Sequence, residues 1–262
     1  MNTKKLLGYM FAILMLALPL VFSGCGKVGD EDPFLSFRSR KARLCGNWTV
    51  TNFTSDILKK ENNISTRTIT TVEGDSWKQV ITIPSSDSTR TLTGKIAMDA
   101  GQEEGAYTFS FDKNGYARMV YKYEYDEDQS SEDDDESRII RTEVYEEMTG
   151  RWEFVSGIDN DYKNKERISF IILNQKTTTK EWEIISSDDE GGASLPRPIS
   201  SSTISDSYAN GEMSIIYQII ELRNKEIKLH QDINTFHLRS NNSSAEAYQA
   251  NGYEDLTLKL RK

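Results

Sequence analysis

Only two thiols and two imidazoles occur among the 262 residues, so nucleophilic and metal chemistry have few places to start. Cys25 follows a basic start at Lys4 and Lys5, an uncharged run from Leu6 to Phe22, and the small pair Ser23-Gly24. That order defines a secretory signal peptide over residues 1–24, with cleavage between Gly24 and Cys25. The run is at the short end of what crosses a bilayer, and Pro19 suits a cleavage region better than a helix interior. His230 and His237 flank Asp232-Ile233-Asn234-Thr235, which reads as a hairpin turn and would set the two rings opposite each other on adjacent strands. A transition metal could use such a pair, yet no third ligand is identifiable, so no metal is assigned. The acidic stretch from Glu124 to Glu136 invites a calcium reading but lacks the glycine and the spaced bidentate Glu of an EF-hand loop. A solvated, self-repelling hairpin tip is expected there. No Gly-x-Ser-x-Gly elbow, cysteine cluster or phosphate-binding glycine loop occurs, so no catalytic residue and no cofactor are assigned and the chain is expected not to be an enzyme. Carboxylates paired across the fold stay open as an alternative, because spacing in sequence says nothing of their separation in space.

The segment around Cys25 resembles the lipobox of bacterial lipoproteins. That resemblance implies that the thiol receives a diacylglycerol, residues 1–24 are removed, and the new amino terminus is acylated. Each buried methylene contributes about 0.8 kcal/mol, so three acyl chains would anchor the protein in the membrane for good. The cluster Asp30, Glu31, Asp32 resembles the short acidic signal that sends lipoproteins to the outer face of the outer membrane in one Gram-negative lineage. Surface display is the expectation, and the periplasmic face is the alternative. Residues 25–43 read as an acidic lipidated tether, since Gly26, Gly29, the three acids and Pro33 cannot bury apolar surface. Taking Lys4 and Lys5 away changes the formal charge from −9 to −11. Such a body is repelled by nucleic acid and by anionic lipid, so neither is an expected charge-driven partner. Cys45 is then the remaining thiol; it cannot form an intramolecular disulfide and is expected to pack as a small apolar residue under a strand.

From Gly46 onward the dominant signal is alternation. Trp77, Gln79, Ile81 and Ile83 share a face, as do Leu92, Ile96 and Met98, then Tyr107, Phe109 and Phe111. Further strand-like segments follow at 116–125, 139–148, 152–158, 168–173, 182–185, 213–222, 227–231, 236–238 and 256–260, dense in Thr, Ile, Val, Tyr and Trp. Asp112-Lys113-Asn114-Gly115 and Leu222-Arg223-Asn224-Lys225 read as hairpin turns, so neighbouring strands run antiparallel. Pro84, Pro196 and Pro198 fall in connectors. Ser243-Ser244-Ala245-Glu246 has the form of a capping box, which predicts a short C-terminal helix over Ala245–Asn251 ended by Gly252.

Gly46-Asn47-Trp48, a second Gly150-Arg151-Trp152, and Ile219-Ile220-Glu221-Leu222 followed by Ile227-Lys228-Leu229 resemble bacterial lipocalin-like outer-membrane lipoproteins. The resemblance implies an all-β fold over residues 44–262: an antiparallel up-and-down barrel of about eight core strands with extra hairpins. It also implies that Gly46 and Trp48 close one end of the barrel, with Arg261 covering the indole, a structural role. Asp87-Ser88-Thr89 similarly resembles an acceptor site for O-linked glycans. The expected function is a membrane-anchored module holding a small apolar or amphipathic molecule. The alternative is a structural or interaction lipoprotein of the cell surface whose barrel is filled by its own side chains, including Tyr121, Tyr123 and Tyr125.

Overall fold

The computed structural model describes residues 39–61, 64–96, 107–129, 137–155, 167–186, 196–209, 211–241 and 244–261. A five-residue helix, α1 (Arg40–Leu44), precedes twelve strands. These are β1 (Gly46–Glu61), β2 (Ile64–Glu73), β3 (Ser76–Ile83), β4 (Ser88–Ile96), β5 (Tyr107–Phe111), β6 (Tyr116–Asp128), β7 (Ser137–Val155), β8 (Arg167–Ser186), β9 (Arg197–Ser207), β10 (Met213–Leu222), β11 (Glu226–Asn241) and β12 (Ser244–Leu260). The chain is all-β, and the twelve strands join in one antiparallel sheet. Gly24, Cys25, Asp30, Glu31 and Asp32 lie outside the described residues. Among the described residues no helix is long and apolar enough to cross a membrane.

Eight strands pair in a circuit that returns on itself. The order is β1, β5, β6, β7, β8, β10, β11, β12 and back to β1, antiparallel at each step. The other four strands enlarge the circuit. β5 joins the first halves of β1 and β6, while the meander β2–β3–β4 joins their second halves. β9 pairs along the second half of β8, beyond the stretch that β10 uses.

Period-two alternation sends one face of each strand inward. On β5, Tyr107, Phe109 and Phe111 are buried while Thr108 and Ser110 are not. On β1, Val50 and Phe53 both face the core although three positions separate them, because a bulge between Val50 and Asn52 inserts one residue. The inward faces meet in one contiguous cluster that includes Trp48, Phe109, Trp152, Phe170, Ile219, Leu229 and Leu258. At the Asp112–Gly115 turn, Gly115 adopts φ +88°, and the Asp112 carboxylate accepts from the amides of Asn114 (2.8 Å) and Tyr116 (2.7 Å). That local bond pattern makes the turn readable from sequence.

Four expectations are corrected. The predicted C-terminal helix is part of β12, which pairs with β11 from Ser244 and with β1 from Tyr248. A capping box satisfies two amides locally, whereas strands on both sides satisfy the whole segment. Gly252 is there for close approach, since a Cβ would stand 1.9 Å from the Asp56 carbonyl oxygen. The predicted turn at Asp232–Thr235 does not exist: β11 runs straight through it, pairing His230 with Asp255 and His237 with Tyr248. Pro198 is within β9, whose outer edge needs no amide from it. Residues Glu124–Asp128, read as part of a solvated tip, belong to β6, where Arg141 holds Asp126 in a two-bond ion pair.

Candidate functional site

One end of the circuit is plugged. Arg40–Arg43, the end of the segment read as tether, form α1 with Leu44, and Ser39 caps that helix by accepting from the Ala42 amide at 3.1 Å. Leu44 and Trp48 are fully buried, and the Trp48 indole donates to the Leu44 carbonyl at 2.8 Å. Arg43, also buried, donates to the Leu222 carbonyl at the end of β10. Lys41 stands 5.7 Å from the Trp152 ring centroid, a cation over an indole. Cys45 ends the helix, its amide bonded to the Lys41 carbonyl, and packs against the core; burial pushes its thiol up. Pairing places Trp48 beside Leu260, and the next residue, Arg261, gives its amide to the Asn47 carbonyl at 2.9 Å. Gly46 lies opposite Phe111 on β5.

Above this floor an aromatic column climbs the interior. Phe111, Phe109, Tyr107 and Tyr121 follow ring to ring, and Tyr123 and Tyr125 continue the ascent against the face of Trp77 at 4.6 and 5.5 Å. The Trp77 indole donates to the Tyr121 hydroxyl at 2.6 Å. Period two along β6 puts Tyr121, Tyr123 and Tyr125 in line, and the same period along β7 brings Glu146 directly opposite Tyr121.

A polar belt crosses the column at that height. Along one wall the register aligns Gln231, Glu254, Ser55, Thr70 and Gln79 on β11, β12, β1, β2 and β3. Glu254 is in phase with Leu256 and Leu258, so it points inward with them. Glu146 is on β7 in phase with the buried Met148, four pairings from β12 either way round the eight-strand circuit. Both carboxylates act on the hydroxyls of Tyr107 and Tyr121, on β5 and β6, and Glu254 acts on that of Tyr217, on β10.

The electrostatics follow from this enclosure. Desolvation pushes Glu254 from 4.5 up to about 7 and raises Glu146, which keeps one bond from the Gln175 amide at 2.7 Å. Desolvation likewise drives Tyr107 and Tyr217 well above the usual phenol range, and both carboxylates add to the shift at Tyr107. Tyr123 is pushed up to about 12, by desolvation first and by Tyr125 and Glu146 after it. Among the described residues no Lys or Arg pairs with Glu146 or Glu254, and nothing hydrogen-bonds the Glu254 carboxyl, the Ser55 hydroxyl or the Tyr107 and Tyr217 hydroxyls.

The signal for the belt was parity. A Glu or Ser within an alternating strand reads as an outward residue, yet Ser55 is in phase with Phe53 and Glu254 with Leu256. The belt's cost is measurable. A carboxyl raised in the folded state holds its proton more firmly there, so its contribution to stability falls as pH climbs from about 4.5 through about 7. Glu254→Gln is therefore expected to raise the unfolding free energy by about 2 kcal/mol at pH 8 and by almost nothing at pH 4. Denaturant titrations of both proteins at the two pH values check this. An equal difference at both would show that Glu254 is not desolvated.

The other sequence candidates are elsewhere. His230 lies outside, between Asp255 (2.7 Å) and Asp232 (3.2 Å); partial burial opposes its charge, but these two bonds outweigh it and raise its pKa. The His237 side chain lies outside the described residues, and among those described no three His, Cys, Asp or Glu residues gather as a metal site. Asp87, Ser88 and Thr89 are exposed at the end of the β3–β4 hairpin. Two open clefts of about 370 Å³ are on the outer face, one lined by Asp112, Arg118 and Asn174, the other by Lys95, Glu124 and Arg141. Comparison with family models, with curated proteins and with solved structures finds no match for this chain.

Proposed function

We propose that this chain is a non-enzymatic lipoprotein, held by acylated Cys25 to the outer membrane and displayed at the surface, whose eight-strand circuit is a lipocalin-like barrel for a small amphipathic molecule. The observation that carries the reading is that part of the inward polar belt has no hydrogen bond among the described residues: Glu254, Ser55, Tyr107 and Tyr217 show none, while Glu146 keeps Gln175, Tyr121 keeps Trp77 and Thr70 keeps Gln79. Buried polar groups are normally satisfied within the fold, so these four are suited to a guest that brings both apolar surface and hydrogen bonds. Gly46, Trp48 and Arg261 act in closing the floor, with Arg261 over the indole, and take no part in binding.

The aromatic column favours a second reading. Rings stacked from Phe111 to Tyr125 fill interior space themselves, as a structural or interaction lipoprotein would require. Titration separates the two. The lipidated protein in non-ionic detergent is mixed with a chemically broad set of water-soluble aromatic and amphipathic probes, and tryptophan emission is followed against a detergent blank. Saturable one-to-one uptake is the expected result, with Trp77 reporting through its contacts to Tyr121 and Tyr123. A flat response across the set makes the container role untenable. The anchor has its own measurement: metabolic fatty-acid label should be present on the wild type and absent from Cys25→Ala, and label that survives the substitution sinks it.

A further inference from the structure

We propose that β9 joins two copies of this chain: residues 201–207 of one copy pair antiparallel with the same residues of the other about a two-fold axis at Ile204, so that the two sheets become one. Such a contact requires neither a bound guest nor an acylated Cys25.

The lip that β9 forms is uncovered among the described residues. Toward the plug, β10 closes the circuit, pairing with β8 on one side and with β11 on the other, as far as the pair of Gln218 with His230. Beyond that level β11 pairs with β12 alone and β9 with β8 alone. The Cα atoms of β9 are almost everywhere more than 8 Å from those of β11, against about 4.8 Å between paired strands, so the wall is slit lengthwise there. Ile204 shows the consequence. It lies opposite Thr177, which lies opposite the inward Glu146, yet it is 63% exposed, the most of any large apolar side chain described, and all of β9 is exposed with it.

Backbone direction and side chains both fit a second copy. The Tyr208 amide donates to the Leu173 carbonyl at 2.8 Å, continuing the β8–β9 register. Hydrogen bonding alternates along an antiparallel pair, so Ser202, Ile204 and Asp206 turn their amides toward β8, while Ser201, Thr203, Ser205 and Ser207 turn theirs outward. Among the described residues no strand meets those four. Edge strands are ordinarily guarded by proline, bulges or charge. β9 has Pro198 and a bulge only at its start, next to Glu181 and Trp182, and from 201 to 207 its one charge is Asp206. That stretch is its own complement, as a two-fold contact requires. Centred on Ile204, Ser201 meets Ser207 and Thr203 meets Ser205, the one register in which all four outward amides find each other. The pairs between them are the close kind, about 4.5 Å between Cα atoms: Ile204 against itself, and Ser202 against Asp206. Like charges never face each other across this seam, despite a formal charge of −9 on each chain. Joined this way, the interior faces of the two copies lie on one side of a continuous sheet.

The test uses the full chain in non-ionic detergent. Sedimentation is expected to give a two-copy protein mass for the wild type and a one-copy mass for two variants. Thr203→Pro deletes an outward amide without touching a bond to β8, and Ile204→Asp sets like charges against each other on the axis without touching the backbone. Far-ultraviolet circular dichroism shows that the strands persist in both, and if the proline disturbs them the aspartate variant decides alone. Register is read by disulfide trapping in a Cys45→Ala background, since a disulfide needs Cα atoms about 4.4–6.8 Å apart. Under mild oxidation Ile204→Cys should form linked dimer about tenfold faster than Tyr116→Cys, which is 57% exposed but on β6. Ser202→Cys should link to Asp206→Cys when the two chains are mixed, and neither should link to itself. A one-copy mass for the wild type overturns the proposal, as does a two-copy mass that survives Ile204→Asp. Equal rates at Ile204 and Tyr116 overturn it too, because they mark chance collision. An internal disulfide in a single chain carrying both Ile204→Cys and Ile233→Cys, with the mass of one copy, would show β11 closing over β9 in place of a partner.

Discussion

Truncating Trp48 to alanine is expected to remove about 3–5 kcal/mol of stability, enough to unfold the domain or bring it to the edge of unfolding. The indole is wholly buried, touches the floor of the core and donates to the Leu44 carbonyl, so the substitution opens a cavity and orphans a buried acceptor together. It also releases α1 from the strand it caps. Trp48→Phe separates these effects: it keeps most of the volume and loses the hydrogen bond, with an expected loss of about 1–2 kcal/mol. Chemical denaturation of the three proteins measures both. If alanine costs under 1 kcal/mol, the plugged end is not a cooperative part of the fold.

Gly150→Val should be equally severe, for the opposite reason. A Cβ at that position would be 1.9 Å from the Ile171 carbonyl oxygen and 3.0 Å from the Ile172 Cα, both backbone atoms that cannot step aside. Gly150 sits at the bulge where β7 changes register against β8, and the bare backbone is what allows the strands to close up there. The expected loss is about 3 kcal/mol or more, seen as a collapse of soluble yield and of the thermal midpoint. Gly74→Ala provides the contrast. Nothing stands within 4 Å of an added Cβ there, and only its φ of +63° objects, so the loss should be about 1 kcal/mol. Comparable losses at the two sites would mean that the β7–β8 contact is looser than described.

These positions also show how far the sequence could be read. Alternation located β3, β5 and β10 almost to the residue and β6 as far as Tyr125, because each has one buried face. It cut β7, β8 and β11 into pieces, since each long strand passes from the core into a polar reach where inward residues such as Glu146, Thr177 and Gln231 no longer look buried. The polar stretch after Trp48 hid most of β1 in the same way, and β9, exposed along its length, gave no hydrophobic signal. Ala245–Asn251 misled through a local motif that a two-sided pairing overrides. Trp48, read as lying on the first strand, is on β1 and wholly buried. Glu254 and Ser55 were not legible, since a polar residue acquires an interior role only when strands distant in sequence are brought into register.

The position of α1 decides which end a tether would hold. The chain enters the fold at Ser39, at the plugged end, while Ser55, paired with Glu254 on β12, lies seven residues beyond Trp48 along β1, or roughly 20 Å. An anchor at Cys25, as proposed above, would tie the body to lipid from its plugged end, and residues 25–38 could reach at most about 50 Å when fully drawn out. That length exceeds the distance from plug to belt, so such a tether would limit how far the body stands off the bilayer and leave it free to turn.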